Sequence, residues 1–255
     1  MRNTQRRSND KKGYMSRYYP ESRFGGFTDT DGTIAFYLRV QALMTPEASV
    51  LDVGCGRGAR NADPVHTRRE LRRLKGNCRH VLGIDVDKQI RENPFVDEYR
   101  PIEGDRWPVD DESVDVCVSD SVLEHIPVPD RFFAECRRTI KPGGYLCIRT
   151  PNVLNYISIA AKLIPDKFQV AVLQRVSHTE RKEEDIFPTV YRCNTKRRLR
   201  KILDKYGFEH CVYGFEAEPH HLSLCSLTYW LGVMHQRLAP NFLKSTLFVF
   251  AKKTA

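Results

Sequence analysis

Short apolar runs alternate with longer amphipathic segments over most of the chain. Five runs have the length and β-branched content of buried strands: Ala48–Val53, His80–Asp85, Ser113–Ser119, Gly144–Arg149 and Thr246–Ala251. Apolar residues recur at helical spacing over Thr67–Lys75, Asp130–Ile140 and Thr195–Tyr206, and Asp31 or Thr33 is placed to cap a helix that runs to about Met44. This alternation predicts a parallel sheet covered by helices on both faces.

The 255-residue chain has a formal charge of +9, which is concentrated in two segments. Residues 1–23 carry a net charge of +5 and residues 57–80 a net charge of +6, which leaves −2 for the rest. The body therefore lacks the overall basic character typical of a nucleic-acid-binding domain. We expect residues 1–23 to form a basic, mobile arm and residues 24–255 to form a single domain.

Composition also bounds the compartment. The eight cysteines show neither C-x-x-C spacing nor a metal-type pairing with histidine. The basic N-terminal segment lacks the apolar run of a signal peptide, and the longest charge-free run, His220–Gln236, is too short and too polar to span a bilayer. These features predict a cytoplasmic protein with reduced thiols and no bound metal.

One motif carries candidate chemistry. In Val50-Leu-Asp-Val-Gly-Cys-Gly-Arg-Gly58, a predicted strand ends beside an acid and enters a loop with glycine at every second position. Glycines there permit positive φ and let backbone N–H groups approach a ligand closely. Asp52 would repel a pyrophosphate, so the loop suits a ligand that carries a cationic amino-acid group.

With four later motifs in order, this segment resembles the class I S-adenosylmethionine (SAM)-dependent methyltransferases over about residues 48–152. The resemblance implies a Rossmann-like, doubly wound α/β fold, whose mostly parallel seven-stranded sheet has an antiparallel last strand, and it implies SAM as cofactor. It also implies that Asp85 binds the ribose hydroxyls and that the loop at Gly104-Asp105-Arg106-Trp107 holds the adenine. The full implied cofactor set is Asp52, Gly54, Cys55, Gly56, Gly58, Asp85, Val86, Asp105, Arg106, Trp107 and Asp120.

One departure from the family concerns the 27 residues from Gly58 to Asp85, which are several more than usual. The extra residues, around Arg60–His66, make a basic loop beside the predicted cofactor site. Two interpretations fit this segment. It contacts a negative charge on a substrate, or Thr67–Lys75 is simply a solvated helix face, which is the interpretation that we favour.

The segment after the fourth predicted strand bears on the acceptor. Ser119-Asp120-Ser121 lacks the Asn/Asp-Pro-Pro-aromatic sequence of enzymes that methylate exocyclic amines of nucleobases, and it resembles the small-molecule branch of the family. His125 is a candidate general base, because its usual pKa suits proton transfer near neutrality. Alternatively, His125 and Glu124 cap the next helix. Ser121 replaces the first acid of a metal-binding pattern seen in some relatives, which argues against a metal site.

The outer segments resemble bacterial enzymes associated with polysaccharide or glycan biosynthesis. An N-terminal aromatic segment folds over SAM in the wider family, which makes Phe24, Phe27 and Tyr37 candidate substrate or lid residues. An insert at about 152–189 and its surroundings add His178, Tyr191 and Arg192 as candidate acceptor contacts.

The sequence therefore predicts a SAM-dependent methyltransferase that acts on a small-molecule or glycan acceptor, at a hydroxyl group. Two alternatives remain: an RNA methyltransferase, suggested by the basic segments, and a non-catalytic SAM-fold scaffold in a biosynthetic complex. An amphipathic helical element at about 220–240 is a candidate for peripheral contact with the inner face of a membrane, or for a dimer interface.

Overall fold

The computed structural model describes residues 13–88, 90, 93–155, 188–223 and 225–255. Seven strands form one sheet: β1 (Ser49–Val53), β2 (His80–Asp85), β3 (Glu98–Pro101), β4 (Val114–Asp120), β5 (Ile140–Pro151), β6 (Phe208–Phe215) and β7 (Thr246–Lys253). Among the described residues, the α-helices that pack with this sheet are α1 (Gly32–Ala42), α2 (His66–Arg72), α3 (Pro129–Thr139), α4 (Lys196–Lys205) and α5 (Ser226–Leu238). The five strands expected from apolar runs are confirmed, and β3 and β6 are additional.

The strand order is β3-β2-β1-β4-β5-β7-β6. Strands β1 to β5 pair in parallel, whereas β7 runs antiparallel to both β5 and β6. The predicted doubly wound α/β fold with an antiparallel last strand is therefore confirmed. Because β1 and β4 are neighbours although β2 and β3 lie on the other side of β1, their carboxyl ends flank the point at which the strand order reverses.

Two apolar clusters lie on opposite faces of the sheet. One contains Phe132 and Phe133 of α3 together with Leu199 and Leu203 of α4. The other contains the buried residues of α1, which are Phe36, Tyr37 and Val40. Neighbouring strand residues face opposite clusters, as Val50 and Leu51 do, so β1 is apolar on both faces.

Asp31 caps α1 as expected: its Oδ1 accepts hydrogen bonds from the backbone N–H groups of Thr33 (2.9 Å) and Ile34 (3.0 Å). This cap satisfies two of the donors that a helix leaves unpaired at its N-terminus. It fixes the start of α1 beside the carboxyl edge of the sheet, where the candidate site lies.

The N-terminal segment differs from the expected mobile arm. Residues 13–18 are helical, and Tyr14, Tyr18 and Tyr19 pack against Tyr229 of α5. These tyrosines hold the segment in place, because their rings bury apolar surface against α5, which the basic residues beside them in sequence cannot do. Residues 1–12 lie outside the described part of the chain, as does most of the insert expected at 152–189.

Candidate active site

The glycine loop after β1 has the backbone conformation that its sequence predicts. Gly54, Gly56 and Gly58 have φ values of 71°, 62° and 76°, a region that other residues enter only with strain. A Cβ atom at Gly54 would lie 2.3 Å from Cγ2 of Val122 in the loop after β4, whereas a Cβ at Gly56 would meet no atom within 4 Å. Gly54 is thus needed for packing, and Gly56 borders open space.

The carboxylate of Asp85, at the end of β2, lies against this loop. Its Oδ2 accepts a hydrogen bond from the backbone N–H of Gly56 (2.9 Å), and its Oδ1 accepts one from that of Asp87 (3.0 Å). The next side chain, Val86, is 58% exposed. The structure therefore brings two of the predicted cofactor residues, Gly56 and Asp85, into direct contact.

Asp52 is buried and forms an ion pair with Arg60, in which Nη1 of Arg60 lies 2.9 Å from Oδ2. Burial raises the pKa of Asp52, although the positive charge of Arg60 lowers it. Within the described part of the chain, Oδ1 of Asp52 is buried without a hydrogen-bond partner. Since buried polar atoms are normally satisfied, this oxygen fits a donor on a bound ligand.

The residues around the glycine loop fit SAM as a ligand. The open space at Gly56, the unpartnered carboxylate oxygen of Asp52 and the strand-end carboxylate of Asp85 suit the methionine and ribose parts of that molecule. The Cys55 side chain instead packs in the core beside Gly83, where burial raises the pKa of its thiol. Cys55 therefore offers its backbone, not its sulfur, to the loop.

The segment predicted to hold the adenine is less uniform. Trp107 is buried in the core, where its ring meets Phe132 edge-on at 5.4 Å, so its indole ring is not available to pack on an adenine. Asp105 is exposed and forms an ion pair with Arg131, and Arg106 pairs with Asp111 at 3.0 Å. Trp107 is thus a packing residue. Its place in the sequence after Gly104-Asp105-Arg106 does not predict this.

Asp120, at the end of β4, belongs to a buried network. Arg149 of β5 contacts both carboxylate oxygens at 2.7 Å, and the hydroxyl of Tyr37 donates to Oδ2 at 3.0 Å. Burial alone would raise the pKa of Asp120, but the charge and hydrogen bonds of Arg149 hold it well below its usual range. Nη1 of Arg149 also donates to Thr33 at the start of α1 (2.9 Å).

A cavity of about 280 Å³ opens beside this network, over the carboxyl ends of β4, β5 and β6. Ser121 and Arg149 contribute to one side, and the segment after β6 contributes Glu216, Glu218 and His220. Of the predicted substrate residues that the structure describes, Phe27 lines the cavity, whereas Tyr37 lies beneath it in the Asp120 network. Phe24 is 79% exposed and does not line the cavity.

The carboxylates of two cavity residues, Glu216 and Glu218, each accept a hydrogen bond from the protein. Glu216 accepts a hydrogen bond from the backbone N–H of Ser245 (2.6 Å), and Glu218 accepts one from the hydroxyl of Tyr229 (2.6 Å). Burial raises the pKa of both carboxyl groups. Neither residue was predicted from the sequence, because isolated acids after an irregular strand resemble ordinary surface residues.

His125, the candidate base, lies in a short 3₁₀ helix (Leu123–His125) and does not line the cavity. Its Nδ1 lies 3.1 Å from the carbonyl oxygen of Pro188, and its Nε2 lies 4.0 Å from Oε1 of Glu124. Because a carbonyl oxygen only accepts, Nδ1 is the donor in its contact with Pro188.

Tyr191 and Arg192 flank this region. The backbone N–H of Tyr191 donates to the carbonyl of Glu124 (3.1 Å), and the carbonyl of Arg192 accepts from Arg198 (3.0 Å). Neither residue lines the cavity. His178 lies outside the described residues.

The basic segment after the glycine loop is not the solvated face that we favoured from sequence. Arg68 pairs with Asp31 and with Asp63, both at 2.9 Å, and Arg72 lies 3.5 Å from Asp63. Arg68 also lines the cavity. These side chains are partly buried because acids from neighbouring segments neutralise them, and the sequence spacing does not show that pairing.

The residues that the structure describes contain neither a metal-binding cluster nor a membrane-spanning helix. No group of three or more His, Cys, Asp or Glu side chains is arranged to hold a metal ion. No helix there is long and apolar enough to cross a membrane.

Known proteins resemble this chain both in the sequence around the glycine loop and in the overall fold. Residues 51–148 match the sequence model of a methyltransferase domain. An arsenite methyltransferase of Halobacterium salinarum is 34% identical over 177 residues, which cover 66% of this chain and 39% of that protein. A ubiquinone biosynthesis O-methyltransferase of Hahella chejuensis is 30% identical over 146 residues, which cover 54% of this chain and 57% of that protein.

Among solved structures, a methyltransferase of Haloferax volcanii in complex with the Trm112 methyltransferase activator is similar over 97% of both chains, with a TM-score of 0.55. At 15% identity, that similarity supports the fold alone. The chain is similar to class I SAM-dependent methyltransferases in its domain match over residues 51–148 and in these relatives, and SAM is the cofactor that this similarity implies. It spans less than two thirds of either curated relative, so their acceptors are not assigned to it.

Proposed function

We propose that this protein transfers the methyl group of SAM to a hydroxyl of a small molecule or glycan. The observation that carries the proposal is the loop after β4. Val122 packs on the glycine loop at Gly54, and its neighbour Ser121 lines the cavity. One short segment thus joins the predicted cofactor site to a cavity of a size suited to a small acceptor.

Bound SAM would supply an activated methyl group, and the protein would hold and orient the reactants. The proposed cofactor contacts are the glycine loop, Asp52 and Asp85, with Val86 beside them. Asp105 and Arg106 remain proposed contacts for the adenine. Asp120 is proposed to act indirectly, because Arg149 and Tyr37 occupy its carboxylate.

The cavity offers acceptors of hydrogen bonds that a polyhydroxylated molecule would satisfy. Glu216 and Glu218 are two residues apart in the segment that follows β6, and both line the cavity. His220 also lines it, and its Nδ1 lies 3.9 Å from Oε2 of Glu218. We propose that the acceptor hydroxyls bind at this wall and that His220, which lines it, takes the proton. His125, the base expected from the sequence, is the alternative, although it does not line the cavity.

Binding of SAM is tested by calorimetry on Asp85→Asn, with Glu103→Gln as a matched control on an exposed acid that pairs with Lys88. Loss of the charged acceptor should weaken SAM binding by at least about tenfold, which corresponds to about 1.4 kcal/mol. The control should bind as the wild type does. Equal affinity for SAM in Asp85→Asn would remove Asp85 from the proposed site.

The acceptor is tested by incubating the protein with methyl-labelled SAM and cell extract, followed by mass spectrometry of the labelled product. A labelled O-methyl product supports the proposal. Labelled RNA would favour the RNA methyltransferase alternative, and SAM binding without any labelled product would favour the scaffold. Comparison of His125→Gln with His220→Gln then identifies the base, since the correct variant lowers turnover while leaving SAM affinity unchanged.

We also propose that the protein is cytoplasmic and contacts an anionic membrane through α5. Four apolar residues of that helix are exposed: Leu227, Trp230, Leu231 and Leu238. Arg237 and Lys244 lie close to them in sequence and suit anionic headgroups. A polysaccharide pathway with a lipid-linked acceptor would use such a contact.

Co-sedimentation with vesicles of phosphatidylethanolamine and phosphatidylglycerol tests this contact. Trp230→Ser should lower the bound fraction, whereas Val128→Ser, which alters an exposed apolar residue elsewhere, should not. A wild-type protein that stays unbound and sediments as a dimer, which Trp230→Ser converts to a monomer, would instead assign this face to a dimer interface.

A further inference from the structure

The helix α4 and the residues just before it form a third basic segment of the chain. Residues 192–205 contain seven basic residues and one acid, a net charge of +6. Leu199 and Leu203 of α4 are buried in the apolar cluster that this helix shares with α3. Because a helix has 3.6 residues per turn, Arg197 and Lys201 lie on the opposite face, and both are exposed.

The charges on this outward face of α4 repel one another. Arg197, Lys201 and Lys205 follow at four-residue spacing, which places like charges next to each other along the helix. Lys205 forms an ion pair with Asp130. In the part of the chain that the structure describes, Arg197 and Lys201 have no such partner. The outward face therefore carries positive charge that the described fold does not neutralise.

The first turn of α4 is also unfavourable for folding. It contains Lys196, Arg197 and Arg198 and no acid. The N-terminus of a helix carries a partial positive charge, so cations there destabilise the helix. Neither this turn nor the row of like charges helps α4 to form, so both features indicate a surface that binds a negatively charged partner.

An exposed apolar side chain lies directly beside this basic face. Nζ of Lys196 lies 3.3 Å from Oδ1 of Asn241, which also accepts a hydrogen bond from the backbone N–H of Gly214 at 2.7 Å. The next residue, Phe242, is 55% exposed, and the side chain of Asn152 donates to its carbonyl oxygen at 2.8 Å. These contacts fix an exposed aromatic residue next to the start of α4.

This combination fits an anionic bilayer better than a nucleic acid. A bilayer offers phosphates at its surface and an apolar layer just below them, which matches cations beside an exposed aromatic ring. Single-stranded RNA is instead bound in basic grooves lined with aromatic rings, on which the bases stack. The residues of α4 include no aromatic side chain, and their basic row lies on the outside of a helix.

We propose that the outward face of α4 docks on an anionic bilayer, with Arg197 and Lys201 on the lipid phosphates and Phe242 at the apolar boundary. This inference rests on the membrane association proposed above, to which it adds a second, electrostatic contact. The contact through α5 is mainly apolar, so the two respond differently to salt and can fail separately.

Co-sedimentation tests the contact, with vesicles of phosphatidylcholine alone and of phosphatidylcholine and phosphatidylglycerol in equal amounts. Wild-type protein should prefer the anionic vesicles. The double variant Arg197→Gln, Lys201→Gln should bind them at least about tenfold more weakly at about 0.1 M salt, because two cations leave the surface. This difference should nearly disappear at about 1 M salt, where the Debye length falls to about 3 Å.

The double variant Arg73→Gln, Arg79→Gln is the matched control, because it removes two charges from exposed arginines that precede β2. It should bind the anionic vesicles as the wild type does. Phe242→Ser should weaken binding at both salt concentrations, since it removes an apolar contact. The melting temperature of the Arg197→Gln, Lys201→Gln variant should equal or exceed that of the wild type, because the variant relieves repulsion within α4.

The inference is wrong if the Arg197→Gln, Lys201→Gln variant binds anionic vesicles as tightly as the wild type. If that variant instead loses affinity for single-stranded RNA in a filter assay, the face belongs to a nucleic acid. Weaker vesicle binding in Trp230→Ser alone would support the α5 contact without this one. If the wild-type protein binds neither kind of vesicle, both membrane contacts fail, whereas the proposed methyl transfer from SAM is unaffected.

Discussion

Gly54 and Gly56 share a backbone conformation but differ in their surroundings, so they separate folding from ligand binding. Gly54→Ala would add strain at φ 71° and a clash with Val122. We expect it to lower the free energy of unfolding by about 2–4 kcal/mol, measured by urea denaturation. Gly56→Ala, with φ 62° and open space around it, should cost only about 1–2 kcal/mol.

Gly56→Ala should nevertheless lose SAM affinity, because the added methyl group points into the space proposed for the cofactor. Calorimetry on the folded variant measures this loss directly. Wild-type SAM affinity in Gly56→Ala would show that the open space beside the loop is not the binding site.

Asp120 links stability to pH through its ion pair. Arg149 holds the pKa of Asp120 below its unfolded value despite the opposing effect of burial, so the ionised pair stabilises the fold above the unfolded pKa of about 4. That contribution is lost as the pH falls below about 4. The stability advantage of wild type over Asp120→Asn should therefore be constant between about pH 5 and 7 and should shrink at lower pH.

Urea denaturation across this pH range measures that advantage. Asp110→Asn, at an exposed acid near the other end of β4, controls for general charge effects. An advantage that grows as the pH falls would contradict the assignment of Arg149 as the stabilising partner.

Individual side chains mark the limit of what the sequence predicted. The positions of Asp85 and the glycines followed from spacing, because a strand end and a tight loop constrain them locally. The burial of Trp107 against Phe132 and the pairing of Arg60 with Asp52 did not. Both depend on which distant segment packs alongside, and a motif does not carry that information.

At the scale of elements, two separable interactions anchor the start of α1, and both are made by its N-cap residue, Asp31. Asp31 caps two backbone N–H groups through Oδ1 and pairs with Arg68 through Oδ2 (2.9 Å). Asp31→Ala removes both and should cost about 1–3 kcal/mol of unfolding free energy. Asp31→Asn keeps a capping oxygen, so it should recover about 1 kcal/mol of that loss.

Urea denaturation of the two variants gives the difference between them. Asp29→Asn and Asp29→Ala form the control pair, since Asp29 lies in the same segment and caps no helix. Equal stability of Asp31→Asn and Asp31→Ala would place the whole contribution in the ion pair with Arg68.

The elements themselves were predictable where burial is uniform. The five apolar strands and the helices at 130–140 and 195–206 appear within a few residues of their expected bounds. The family resemblance implied seven strands, but the apolar pattern did not reveal β3, because its four residues, Glu98–Pro101, are mostly polar and only partly buried. β6 was missed because Glu209 and His210 interrupt its apolar pattern, although antiparallel pairing with β7 holds it in the sheet.

At the scale of the molecule, the strand order determines where the site lies. The loops after β1 and β4 meet because these strands are neighbours, with the chain crossing to opposite sides of the sheet. Periodicity predicted a parallel sheet but not this order, which only the family resemblance implied. The contact of Gly54 with Val122 is the local result of that topology.

The net charge also has a different meaning in the folded molecule. Of the eight basic residues in 57–80, six pair with acids: Arg57, Arg60, Arg68, Arg72, Arg73 and Lys75. Most of their partners lie outside that segment, which is why the sequence suggested an unpaired basic patch. Residues 1–12, with five basic residues and one acid, are then the main candidate for contact with RNA.

Filter binding with single-stranded RNA tests this view. Deletion of residues 1–12, which keeps the tyrosines that pack on α5, should weaken RNA binding. It should also reduce the magnitude of the salt slope by up to about 3.5, since each RNA phosphate that a basic residue neutralises contributes about 0.7. The exposed arginines Arg73 and Arg79 supply the control, and their joint replacement by Gln should reduce the slope by no more than about 1.4. RNA affinity that survives the deletion but falls in the Arg73→Gln, Arg79→Gln variant would return the RNA methyltransferase alternative to the 57–80 segment.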